Sequence, residues 1–340
     1  MFSVLAGQSG VAGCCGILGK DMDSVTAATE VITTSKCNND ALMASIPWDV
    51  EQLTSRRKLK IGYYVADGFL PSTPACARAV REAAERLRAE GHIVIPFKPP
   101  DSITGLKLFF SLLTADGGIK VQSYLKDEQL DESLKAFVQG LENNRSWWRY
   151  QYDLWKLNAK GFKRLAALKS WTKQRTVADL WNLQGERRKY QHEWHDAIQN
   201  QGLDAFLCPA HAMVAPDPKV VAYSGSTLCY TQIFNVLDFP AGTVPVSSVT
   251  VEDEVAMQDW PMNVLRDQFG DRVEDLIASD EIFGRQDDIL ETVIRNTMRD
   301  SSGLPLSVQV VGLPWKDEVC LQIMHELERL SQSFTTSAPK

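Results

Sequence analysis

The sequence predicts an α/β fold, and three observations carry that prediction. KIGYYV (60–65) and HIVIPF (92–97) read as strands, each rich in β-branched and aromatic residues. Between them, residues 75–90 read as a helix that turns Val80, Ala83, Ala84 and Leu87 inward. This strand–helix–strand unit has the length and order of a crossover, which favours a parallel pair. Finally, LDAFLCP (203–209), GTVPVSSV (242–249) and PLSVQVV (305–311) read as further strands, separated by long helical stretches.

The remaining elements follow in order. Residues 22–35 form a helix capped by Asp23 or Ser24, with Val25, Ala28 and Val31 on one face. Residues 38–57 read as a loop containing Pro47. Pro71 and Pro74 precede the crossover helix and Gly91 ends it. From about 104 to 200 the pattern is largely helical. Residues 226–237 form a helix that runs into FPAG, where the Pro-Ala-Gly break starts the next strand. The region 251–300 reads as surface helices and loops, and a last helix covers 316–331, followed by a frayed tail at 332–340.

The chain has 340 residues and 44% hydrophobic content, enough for a substantial core. Its net charge of −7 gives no general reason to expect a nucleic-acid partner. The charge is uneven, however. Residues 144–175 hold nine basic side chains and one acid, whereas 252–291 hold thirteen acids and three arginines. Seven cysteines without a CxxC, and an N-terminus without a basic leader region, suggest a reduced, intracellular protein. No run approaches the roughly 18 apolar residues of a membrane span.

Few residues stand out as catalytic on their own. His192 and His195 lie three apart on a predicted helix, but QHEWHDA is not HExxH and supplies no third ligand, so no metal is expected. His211 follows a strand end, a common place for sites in α/β proteins, yet no nucleophile is identified beside it. No GxSxG elbow, Walker loop or GxGxxG occurs. Asp116-Gly117-Gly118 could pinch the chain close to a ligand or simply end a helix. Ser301-Ser302-Gly303 reads as a surface turn.

The basic stretch carries Trp148, Tyr152, Trp155, Ala159, Phe162 and Leu165 at spacings of three or four, one stripe of a helix. Lys156, Lys160, Lys163 and Arg164 lie around it. This pattern suits a helix at a membrane surface, a helix packed on the protein body, or a patch for another acidic partner.

LKIGYYVADGFLPSTPACARAVREAAERLRAEGHIVIPFKPP, LLTADGG, IFNVLDFPAGTVPVSSVTVEDEVAMQ and SSGLPLSVQVVGLPWKDEVCLQIMHELERL together resemble the fatty-acid amide hydrolases, a branch of the amidase signature family. The likeness runs from about residue 7 to 331. It implies a mixed central sheet flanked by helices, incomplete on its N-terminal side, with residues 1–340 forming the C-terminal part of one amidase domain. It also implies hydrolysis of fatty-acid or related amides without a cofactor. In this family a lysine acts as base, a serine relays the proton and a second serine attacks the carbonyl, while backbone N–H groups form the oxyanion hole. These groups belong to a Gly/Ser-rich signature, typically Gly-Gly-Ser-Ser-Gly-Gly, and this chain contains no such string. GILGKD (16–21) stands where an amidase usually reads Gly-Pro-(apolar)-Ala-Arg-Asp. Met1 is therefore expected to be an internal methionine, and the chain alone to be inactive.

The resemblance places Leu113, Thr114, Leu134, Phe137, Leu168, Leu228 and Gln232 along an acyl channel. Thr114 and Gln232 are more polar than the family's usual residues there. Segment 138–175 aligns with a membrane-docking hairpin, which makes Trp147, Trp148, Trp155, Phe162, Lys163 and Arg164 candidate membrane contacts. A fatty-acid or other lipid amide, a membrane surface and a second copy of the chain are the expected partners. The expected location is the cytoplasm or the surface of an internal membrane. On its own the chain would expose an unpaired sheet edge and an apolar face. Alternatively, it is a non-catalytic lipid-binding or dimer-partner protein on the same scaffold.

Overall fold

The computed structural model describes residues 7–34, 47–130, 132–217, 220, 225–279 and 288–335. The side chains of residues 132–134, 136–137, 276, 278–279 and 332–335 also lie outside the description. The architecture is a mixed five-stranded sheet flanked by helices. Its strands are β1 (Lys60–Tyr63), β2 (Ile93–Pro96), β3 (Ala205–Pro209), β4 (Ala241–Ser248) and β5 (Pro305–Gly312), in the order β2-β1-β3-β5-β4. β1 is parallel to β2 and β3, and β5 is antiparallel to β3 and β4. The strand–helix–strand unit is thus the parallel crossover that the sequence predicts, through α3 (Pro74–Ala89).

Sequence chemistry accounts for the ends of α3. Thr73 accepts the Cys76 N–H (3.3 Å), proline occupies the first turn, and Gly91 takes φ +96° just past the end. The helix crosses the sheet and touches all five strands. Its alanine-rich face is fully buried, which permits close approach. Three of its arginines reach strand carbonyls. Arg88 donates to Val94 O on β2 (Nη2, 2.8 Å), Arg86 to Val246 O on β4 (2.7 Å), and Arg78 to Ser248 O (2.7 Å). β2 and β4 are the outer strands, and neither pairs with a further strand among the described residues. Guanidinium donors thus sit on some carbonyls of both outer strands.

Two segments differ in detail from the sequence reading. α1 (Met22–Thr34) is capped by Asp21, whose Oδ1 accepts both N–H and O–H from Ser24 (2.8 and 2.6 Å). The cap therefore lies two or three residues before the Asp23 or Ser24 expected from sequence. Within the expected loop 38–57, a short helix α2 (Val50–Thr54) forms because Asp49 caps it through Gln52 N–H (2.8 Å).

The long helical region resolves into α4 (Ser102–Leu113), α5 (Ile119–Leu125), α6 (Glu132–Asn143), α7 (Trp147–Ala159), α8 (Lys163–Trp171) and α9 (Val177–Gln201). The aromatic stripe at 148–165 is not one helix: Gly161 adopts φ +77° and separates α7 from α8. α10 (Cys229–Leu237) leads into β4. The acidic region contains α11 (Val251–Ala256), α12 (Met262–Phe269), α13 (Val273–Ser279) and α14 (Ile289–Thr297), and α15 (Asp317–Thr335) packs on β4 and β5.

The core on the α9–α10 side of the sheet centres on Phe206 of β3. Its ring lies 5.7 Å from Phe97, 5.6 Å from Trp194 and 5.5 Å from Phe234. These rings come from three other parts of the chain, so Phe206 joins the sheet to α9 and α10. Phe206→Ala should destabilise the chain by about 3–5 kcal/mol, the usual cost of removing a fully buried aromatic ring. A fall in the urea midpoint at unchanged slope measures this.

Candidate functional site

Five of the seven expected channel residues lie on or at the ends of α4, α8 and α10. α4 packs against both α8 and α10. Leu113 and Thr114 end α4, Leu168 lies on α8, and Leu228 and Gln232 lie at and within the start of α10. Leu168, Thr114 and Gln232 are buried, while Leu113 and Leu228 are half-buried. Leu134 and Phe137 belong to α6, but their side chains lie outside the described residues.

Polar groups hold this wall in place. Ser111 O–H donates to Trp171 O (3.3 Å), joining α4 to α8. Arg175 adds a backbone donor to Ala115 O (2.8 Å) and a side-chain donor to Ser111 Oγ (3.1 Å). The two polar channel positions are satisfied internally. Thr114 donates its hydroxyl to Phe110 O (2.7 Å), and Gln232 donates its amide to Gly225 O (2.9 Å). The Thr114 hydroxyl donor is thus engaged with backbone, as is one of the two amide N–H groups of Gln232.

The Asp116-Gly117-Gly118 turn ends the α4 region and opens α5. Both glycines are left-handed, at φ +72° and +75°. Asp116 accepts Gly118 N–H (2.7 Å) and Lys120 N–H (2.8 Å). A Cβ at Gly118 would lie 2.6 Å from Leu141 Cδ1, so the second glycine is needed for both conformation and close packing. The turn therefore acts as a tight helix-to-helix connection.

The FPAG stretch is likewise fixed from behind. Asp238 takes φ +57° and pairs with Arg187, whose Nε donates to Val236 O (2.7 Å). Phe239 packs on Trp194 at 6.2 Å, and Gly312 N–H donates to Pro240 O (2.9 Å). The sequence reading did not identify Arg187, which anchors the end of α10 from one helix away.

Asp67, another residue missed from sequence, lies just after β1 at the C-terminal end of the parallel strands. Its Oδ1 accepts N–H from Phe69 (2.9 Å) and Leu70 (3.0 Å). The Cys229 thiol lies beside the carboxyl, and its sulfur is directed to Thr227 O (3.8 Å). Burial pushes Asp67 up to about 6 despite these hydrogen bonds. The Asp-Gly pair directly after a predicted strand was the available sequence signal.

The histidines have structural settings. Nδ1 of His211 accepts Met213 N–H (3.1 Å), which leaves the ring proton on Nε2, facing Thr227 Oγ1 (3.2 Å). Burial lowers His211 to about 4. His192 and His195 are exposed on α9, and His195 faces the neighbouring Asp196. Ser301 is buried within its turn, where Ser301 and Ser302 N–H groups both donate to Glu254 Oε1 (3.0 and 2.9 Å).

The proposed membrane contacts divide into two groups. Trp147, Trp148 and Trp155 are exposed on α7, together with Tyr152. Phe162 and Lys163 are half-buried. Arg164, expected at the surface, is fully buried instead. Its Nε donates to Phe69 O (2.8 Å), and its Nη1 pairs with Glu291 (2.8 Å) and Asp288 (3.4 Å). Gly161 explains the difference, because the turn it permits rotates α8 out of the stripe that continues along α7.

A family model described as Amidase matches residues 3–321. Fatty-acid amide hydrolase 1 from Sus scrofa is 32% identical over 330 residues, covering 95% of this chain and 52% of that protein. Fatty acid amide hydrolase 1 from Caenorhabditis elegans is 27% identical over 303 residues, covering 86% and 46%. A solved fatty acid amide hydrolase superposes with a TM-score of 0.66 at 18% identity, covering 96% of this chain and 49% of that one. A 6-aminohexanoate cyclic dimer hydrolase does so at 0.56 and 15%, covering 93% and 55%. The chain spans about half the length of the curated relatives it matches.

The opposed shifts of His211 and Asp67 predict opposing pH effects. Neutral His211 contributes stability above its ordinary value of 6.5, and this is lost as pH falls toward 4. Protonated Asp67 contributes stability below its ordinary value of 3.8, and this is lost as pH rises through 6. Each effect amounts to about 3 kcal/mol at its limit. Relative to the unmodified chain, His211→Gln should gain stability between pH 6.5 and 4, and Asp67→Asn should lose it. Urea midpoints across that range test both, and profiles parallel to the unmodified chain contradict the assignment.

Proposed function

The chain belongs to the amidase family, and from that premise we propose that it forms the acyl-binding wall of a hydrolase that cleaves the C–N bond of fatty-acid or related lipid amides. The observation that carries this reading is the packing of α4 against α8 and α10, which gathers the candidate channel positions Leu113, Thr114, Leu168, Leu228 and Gln232. The engagement of the Thr114 hydroxyl with Phe110 O supports an acyl chain as the occupant beside it. Similarity to the Sus scrofa and Caenorhabditis elegans proteins supports the substrate class.

In this reading the chemistry is of the Ser-Ser-Lys type. The base and both serines come from outside these 340 residues, which contain no Gly-Gly-Ser-Ser-Gly-Gly string. The chain alone then releases no fatty acid from a long-chain amide above a matched blank. Turnover by the isolated chain that a serine-reactive inhibitor abolishes would refute this assignment.

The reading also places α7 against a membrane surface, with the protein intracellular, either cytoplasmic or peripheral on an internal membrane. Exposed Trp147, Trp148 and Trp155 support this, as do the lysines around them. No described helix is long and apolar enough to cross a membrane, so contact would be superficial. Arg164 has no part in it. Replacing the three tryptophans by serine should weaken co-sedimentation with phospholipid vesicles at least about tenfold, given about 1.5–3 kcal/mol for each large apolar side chain fully removed from water. Unchanged binding removes α7 as the docking element.

A second reading is a non-catalytic lipid-binding or homodimer-forming protein on this scaffold. The contiguous hydrophobic cluster among the described residues favours it, because such a core could sustain a self-standing body. Cooperative melting with saturable amide binding and no turnover, even with the remainder of an amidase domain supplied, distinguishes it from the first.

A further inference from the structure

Residues 12–20 form a bridge of irregular chain between two fixed points. Upstream, Gly10 is buried against α4 and α9, where a Cβ would lie 2.9 Å from Leu112 Cδ2 and 3.0 Å from Gln184 Nε2. Val11 N–H donates to Gln8 Oε1 beside it (3.1 Å). Downstream, Met22 is buried and its N–H donates to Glu328 Oε1 of α15 (3.0 Å). Among the described residues, no hydrogen bond involves 12–20 themselves.

Cys14 and Cys15 stand side by side in the middle of this bridge, both exposed and both free thiols. Gly13 and Gly16 flank them, and a Cβ at Gly16 would meet nothing within 4 Å, so the space beside the pair is open. Cys76, Cys208, Cys229 and Cys320 are buried instead, and Cys37 lies outside the described residues.

The exposed pair is badly placed to close on itself. Adjacent Cα atoms stand about 3.8 Å apart across a trans peptide, whereas disulfide-linked residues usually span about 4.4–6.8 Å. A third atom inserted between the sulfurs enlarges the ring and relaxes that constraint. Soft thiolates select soft centres. Zinc in a structural site takes four ligands, and no group of three or more His, Cys, Asp and Glu side chains suited to a metal occurs among the described residues. The matching centre is therefore one that needs two sulfurs and no more. Trivalent arsenic carrying one organic group meets this requirement, because both of its remaining valences prefer sulfur to oxygen.

We propose that Cys14 and Cys15 form a dithiol site that chelates one organic trivalent arsenical. Both S–H bonds break and two As–S bonds form, while the oxide oxygen of the arsenical leaves with the two protons as water. Arsenic stays trivalent, so no oxidant is consumed. The assignment does not rest on the hydrolase reading.

Phenylarsine oxide, titrated into the reduced 340-residue chain, tests it. Intact mass should show one phenylarsenic group added per chain with loss of one water, and the count of reactive thiols should fall by two. Cys14→Ser and Cys15→Ser each leave a single thiol, and loss of the chelate should weaken binding at least about hundredfold. Cys37→Ser should bind as the unmodified chain does. The proposal is overturned if the chain takes up no phenylarsenic group, if either Cys14→Ser or Cys15→Ser binds unchanged, or if Cys37→Ser abolishes binding.

Discussion

The buried guanidinium of Arg164 is the constraint on which the helical half of the molecule depends. It joins α8 to the backbone after β1 through Phe69 O, and to α14 through Asp288 and Glu291. Asp288 also caps α14 through Leu290 N–H (2.8 Å), so one carboxylate both starts a helix and holds a cation. Taking these charges out of water is costly, and the pair persists because several hydrogen bonds accompany it. Burial raises Glu291 even though Arg164 acts to lower it, which is the balance expected for a desolvated pair. Removing Arg164 would leave two carboxylates without this cation, whereas a well-packed apolar replacement of all three could be tolerated.

From this anchor the placement of the wall follows. α8 is held, so Leu168 is held, and α7 is directed outward with its tryptophans exposed. Ser111 and Arg175 link α4 to the end of α8, whereas Thr114 donates to Phe110 O of its own helix and Gln232 to Gly225 O just before α10. The bond from Ser111 to Trp171 O ties α4 to α8.

The sheet and its helices were legible because their signals are local. The strand runs rich in β-branched and aromatic residues, the prolines leading into α3 and the Gly91 stop all depend on neighbours in sequence, and each appears in the structure. Arg164 was not legible, since nothing in KRLAAL distinguishes a lysine left at the surface from an arginine that meets carboxylates 124 and 127 residues away. The stripe continued across Gly161 on a helical wheel, and only the left-handed backbone there breaks it. Asp67 was missed for the same reason, because its burial is a property of packing. The resemblance supplied the channel positions, which the residues alone would not have singled out.

The arginines of α3 have a consequence for how the sheet can be extended. A strand docking on β2 would have to compete with Arg88 for Val94 O where the two approach the same side, and one docking on β4 would meet Arg86 and Arg78 near Val246 and Ser248. Pro245 on β4 and Pro96 on β2 also lack the N–H that such a strand would seek. One helix lying across the sheet thus discourages growth at both margins. Mutations on its buried alanine face and on its arginine tips are therefore expected to have separate outcomes, the first unfolding the molecule and the second leaving it folded but prone to joining its neighbours edge to edge.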